Sequence, residues 1–129
     1  MIAQLWAEGL ASFVSHELNP NASKKDIFIY ESVARFGDDQ LPRIASLFLG
    51  VAEKRAFDPQ DDKTYFEWFL SEKDIENLPA MAGYWLGYKV VESLRSQYSL
   101  AEMSQWSAEK ADQMASSSLR RFVQSQSQR

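Results

Sequence analysis

The chain has 129 residues, of which 45% are hydrophobic and 13% aromatic, so it has the length of one ordinary domain and too much apolar content for a disordered segment. Fourteen Lys and Arg against eighteen Asp and Glu leave a net charge of −4 with no basic block, which removes the electrostatic footprint that nucleic acid requires. With no Cys and a single His, His16, the chain offers no disulfide, no thiolate metal site, no cysteine nucleophile and no site needing two imidazoles of its own, while its compartment stays open.

The first segment, Ile2 to Leu18, sets Leu5, Trp6, Leu10, Phe13 and Val14 at three- and four-residue spacing, which predicts a helix with one apolar face, ended by Asn19-Pro20-Asn21. Its start lacks the basic n-region and apolar run of a signal peptide, because Glu8 and Gly9 interrupt it. Ser23, with Asp26 three positions on, caps an expected second helix through Ile27, Tyr30, Val33 and Phe36 to Gly37. The run Ile27 to Tyr30 also reads as a strand, but no turn-bounded partner strand exists elsewhere to pair with it.

A third helix is expected from Asp38 or Asp39, with Pro42 in its first turn and Leu41, Ile44, Ala45, Phe48, Leu49 and Val51 facing inward, fading near Arg55. Ala56 to Asp61 reads as a turn, after which Asp61 or Asp62 caps a short helix carrying Tyr65, Phe66, Trp68, Phe69 and Leu70. Asp74 to Leu78 is a connector. Pro79 opens a long helix through Tyr84, Leu86, Tyr88, Val90, Val91 and Leu94 to about Tyr98. Ser99 and Glu102 form a capping-box pattern ahead of a short helix to about Trp106, and Ser107 opens the last helix, which carries Ala111, Met114, Ala115, Leu119, Phe122 and Val123. The fold class is therefore all-α, a single-domain bundle of about six or seven helices over 1–123 with a polar tail, 124–129, that frays. The longest weakly polar run, Leu78 to Leu86, falls far short of the roughly 20 residues that span a bilayer, so no membrane span is expected.

The candidate chemistry begins with Glu8. It lies one turn from Gln4, Ala11 and Ser12 and two turns from Ser15, on a stripe of small or polar side chains where a neighbour can pack. Spacing alone reads it as a surface carboxylate beside a close helix contact. Later in the chain, Gly83 and Gly87 stand four apart and cut a groove in one helix face, with Tyr84 and Tyr88 along its edge; tight packing of this helix is the ordinary meaning of that pattern. His16 reads as a surface or helix-end residue, because a second imidazole on its face would fall at position 20, which is Pro. Asp58, Asp61 and Asp62 lack the Gly and distal Glu of a calcium loop, and Arg120-Arg121 complement a helix dipole.

The string Leu5-Trp6-Ala7-Glu8-Gly9-Leu10-Ala11-Ser12-Phe13-Val14-Ser15, followed by Leu18-Asn19-Pro20, resembles a segment of predicted zinc-dependent proteases of the gluzincin type. Leu78-Pro79-Ala80-Met81-Ala82-Gly83-Tyr84-Trp85-Leu86-Gly87-Tyr88-Lys89-Val90-Val91-Glu92 is similar to the G-Y-x-x-G-Y helix late in the same family, in the same order and at a fitting separation. The resemblance implies that Glu8 matches the third protein ligand of zinc, in a site with two His and an open position for water, and that Tyr84 donates a hydrogen bond to a developing oxyanion. The helix with H-E-x-x-H, which supplies two ligands and the general base, has no counterpart in this chain. The resemblance thus implies a C-terminal helical portion that is inactive alone and holds no zinc tightly by itself, with a peptide or protein substrate for a full-length relative. Two other readings stand beside it: an all-α interaction module that associates as a homodimer through a face left uncovered, and a small-ligand binder with its site between aromatic helices.

Overall fold

A computed structural model describes residues 1–18, 38–55, 62–71, 78 and 81–127. The expected second helix, the turn at 56–61, and Pro79 lie outside the described residues. Among those described there are six α-helices and no strand: α1 (Ile2–Leu18), α2 (Leu41–Arg55), α3 (Asp62–Tyr65), α4 (Ala82–Arg95), α5 (Leu100–Ser104) and α6 (Ala108–Ser127). A 3₁₀ turn, Asp38–Gln40, leads into α2, and a π-helical turn, Phe66–Leu70, continues α3. The all-α expectation holds, and no described helix is long and apolar enough to cross a membrane.

α4 is the central element. Ten of its fourteen residues are buried, which is the signature of a helix covered on most of its circumference. It packs on α1, α2, α6 and the π-helical turn, while α2 and α6 pack on each other. The core is continuous, with Leu5 of α1, Ile44 and Phe48 of α2, Trp85, Leu86, Val90 and Val91 of α4, Met103 of α5 and Leu119 of α6 all withdrawn from water. Small residues on α2 (Ala45, Ala52) and on α6 (Ala111, Ala115, Ser116, Ser118) are likewise buried, which keeps the bulk on those helix faces low where they join the core.

Three local features depart from the periodic reading. The aromatic segment after Asp62 does not continue as regular α-helix but widens into the π-helical turn, so that the consecutive Trp68 and Phe69 are both buried, at 2% and 0% exposure. Trp68 meets Phe48 edge-on at 5.0 Å, and Phe69 meets Tyr84 edge-on at 6.0 Å. α4 begins at Ala82, because Met81 takes a left-handed conformation, φ 59°, which no helix can run through. α4 also ends at Arg95: the N–H groups of Gln97 and Tyr98 both bond to the Leu94 carbonyl at 3.0 Å and turn the chain.

The capping box forms as its residues require. Ser99 Oγ accepts the Glu102 N–H at 3.1 Å and the Glu102 carboxylate accepts the Ser99 N–H at 3.2 Å. α5 stops at Ser104, two residues before Trp106, since Gln105 leaves helical geometry at φ −100°, ψ 0°. Ser107 Oγ caps α6 by accepting the Lys110 N–H at 3.1 Å. α6 then runs on to Ser127, through most of the stretch expected to fray, and Ser125 Oγ donates to the Phe122 carbonyl at 2.8 Å.

Candidate functional site

Glu8 and Tyr84 belong to α1 and α4, and the packing of those two helices decides how the two strings meet. A methyl group on Gly9 would overlap the Gly87 carbonyl, and one on Gly87 would overlap the Leu5 carbonyl and press on Gly9. The helices are therefore in backbone-to-backbone contact at Gly9 and Gly87, an approach that only glycine permits at both positions. Eight residues beyond that contact on both helices, Arg95 Nε donates to Glu17 Oε1 at 3.2 Å, so α1 and α4 run the same way. Gly83, by contrast, receives no backbone: the ring of Phe69 fills the space its side chain would take.

Glu8 is half-buried and its Oε1 accepts a hydrogen bond from Gln4 Nε2 at 2.7 Å, one turn earlier on the same helix. Tyr84 is half-buried with Phe69 against its ring. In the register set by Gly9 and Gly87, Tyr84 stands within about one turn of Glu8 along the pair. A zinc site needs three protein ligands within coordination distance, and among the described residues no group of three His, Cys, Asp or Glu side chains is so placed. Glu8 is a single carboxylate with its Gln4 partner.

The one imidazole lies elsewhere. His16 lies in the last turn of α1, the helix-end position expected of it, but is half-buried, and its Nδ1 lies 2.5 Å from the Tyr88 hydroxyl, across a sequence separation of 72 residues. Phe13 and Tyr88 rings stand 5.3 Å apart beside this pair. Phe13, His16, Glu17, Tyr88 and Glu92 line an open cleft of about 430 Å³ between α1 and α4. Burial, and then the Glu92 carboxylate, push the Tyr88 hydroxyl above the ordinary phenol value of 10.0; Glu17 adds to this and the Lys89 ammonium opposes it. Lys89 is itself buried and donates to Glu92 Oε1 at 3.1 Å. Nδ1 of a neutral imidazole and a phenol oxygen can each donate or accept a hydrogen bond, so which of the two donates here is set by the His16 tautomer.

The sequence carried one signal for His16 that its terminal position obscured: it follows Phe13 by three residues, on the face that also holds Leu5 and Gly9. The spacing of Tyr88 set it along the edge of the Gly83–Gly87 groove, but nothing local pairs it with His16.

No family model matches this chain, and no curated protein and no solved structure matches it.

Proposed function

We propose that the chain is the C-terminal helical portion of a zinc metallopeptidase-like protein, in which Glu8 is one zinc ligand and Tyr84 the hydrogen-bond donor to the developing oxyanion. The two imidazoles of the site come from residues other than these, and the chain alone is inactive. What supports this reading is one observation: the two strings that carry the resemblance, 76 residues apart at Glu8 and Tyr84, are joined by the backbone contact of Gly9 and Gly87. That contact gives Gly9 of one string and Gly87 of the other a common purpose and brings a half-buried carboxylate and a half-buried phenol to neighbouring levels of one helix pair.

The test is made on the protein translated from the whole reading frame that contains these residues. Its upstream part is expected to encode H-E-x-x-H, and the purified protein to retain zinc and cleave a peptide. Glu8→Gln is expected to lower zinc retention at least about tenfold, since it removes a first-sphere carboxylate. A reading frame without H-E-x-x-H, or zinc retention unchanged in Glu8→Gln, sinks the proposal. The second reading, a non-enzymatic module that binds a small ligand or a second copy of itself, is favoured by the cleft at His16 and Tyr88, and those same negative results would select it.

A further inference from the structure

A cation already rests on an aromatic corner at the opposite, N-terminal end of α1 from His16. Tyr98 closes the turn after α4 and Trp106 closes the turn after α5, and their rings meet edge-to-face at 5.0 Å and 81°. Trp6 of α1 stacks behind Trp106 at 5.4 Å and 14°. Lys110 Nζ lies 5.1 Å from the centre of the Trp106 ring and 6.0 Å from that of Tyr98, both within the range of cation–π attraction.

The corner is braced independently of the cation. Between the two rings the chain is folded into α5, closed by the reciprocal Ser99–Glu102 bonds and anchored by Met103 at 1% exposure. Tyr98 and Trp106 remain half-buried and Lys110 is exposed, so the corner is reached from solvent. Lys110 sits in the first turn of α6, where the helix dipole favours anions, and its ammonium is held over the rings nonetheless. A primary ammonium is compact and strongly hydrated. A methylated ammonium spreads its charge over an apolar surface, loses less hydration on contact with a ring, and fits the same two faces better.

We infer that Trp6, Tyr98 and Trp106 form a binding site for a methylated ammonium group, with Lys110 as its intramolecular occupant, displaced on binding. The group can belong to a free alkylammonium compound or to a trimethylated lysine side chain.

The experiment follows the indole N–H resonances of the four tryptophans while the intact chain is titrated with tetramethylammonium chloride against sodium chloride of equal ionic strength. Trp106 and Trp6 are expected to shift saturably, whereas Trp68 and Trp85, at 2% and 0% exposure, stay in place. Lys110→Ala removes the competitor and is expected to tighten binding about two- to fivefold. Tyr98→Leu, which leaves the Trp106 reporter intact, is expected to weaken it by a similar factor. The inference is overturned if neither the parent chain nor Lys110→Ala gives a saturable shift, if all four indoles respond alike, or if Lys110→Ala binds no more tightly than the parent. Given saturable binding, a trimethyl-lysine peptide that binds at least about tenfold tighter than free trimethyl-lysine assigns the site to a modified side chain, and equal affinities assign it to a free alkylammonium.

Discussion

Tyr88 is the residue at which burial, charge and the helix pairing meet. Its hydroxyl is partly buried at the open cleft, hydrogen-bonded with His16 of α1, and under the influence of Glu92 and Glu17 with Lys89 in opposition. Burial and the two carboxylates disfavour the phenolate, so the folded chain holds the Tyr88 proton to higher pH than the unfolded chain does. A group whose folded value is raised stabilises the fold fully below its unfolded value and loses that contribution as pH climbs through the folded one. The thermal midpoint is therefore expected to fall on raising the pH above 10.0, and to fall less steeply in Tyr88→Phe, which has no proton to lose there. Equal slopes for the two proteins would mean that the phenol is not held in its neutral form by the fold. The same residue marks a limit of local reading: Tyr84 and Tyr88 occupy equivalent places in the G-Y-x-x-G-Y string, yet one packs on Phe69 and the other bonds to the only imidazole.

Glycines separate the elements that are forced together from those that are free. Ala at Gly9 or Gly87 would drive a methyl into backbone, which cannot rotate aside, so α1 and α4 would have to part. Overpacking of this kind outweighs the gain in helix propensity, and each substitution is expected to cost about 2 kcal/mol net. Gly50, on the exposed side of α2, has nothing within 4 Å of where its side chain would stand. There Gly50→Ala is expected to stabilise by up to about 1 kcal/mol, because only the propensity term acts. Urea unfolding of the three variants checks both signs, and a stabilised Gly87→Ala would refute the close crossing. At this scale the sequence was legible where the controlling contact is local: the Ser99 to Glu102 box and the Ser107 cap lie within one turn of the groups they satisfy. It was not legible at Phe66–Leu70 or Met81, where the backbone adopts π-helical and left-handed forms to bury Trp68, Phe69 and Met81 itself. Nothing in their immediate neighbours demands those forms.

The described residues share one core that runs through α1, α2, α4 and α6. Truncation at a fully buried position removes contacts on every side, so Leu119→Ala is expected to cost about 2 to 5 kcal/mol, whereas Leu70→Ala, at a position 49% exposed, is expected to stay below about 1 kcal/mol. The interaction-module reading makes its prediction here as well. Leu18 and Leu47 are 75% and 44% exposed, and if such residues meet a second copy, light scattering on the chain will give a dimer; a monomer at high concentration counts against that reading. By itself the sequence determined the all-α class, the span of α1, most of α2 and the caps of α5 and α6, because helical periodicity and capping are satisfied within three or four residues of chain. Only the tertiary structure decided that Gly9 meets Gly87, that His16 bonds to Tyr88 and that Trp6 stacks on Trp106. Each of those contacts joins residues more than 70 positions apart, and no local preference records which distant side chain will occupy the space.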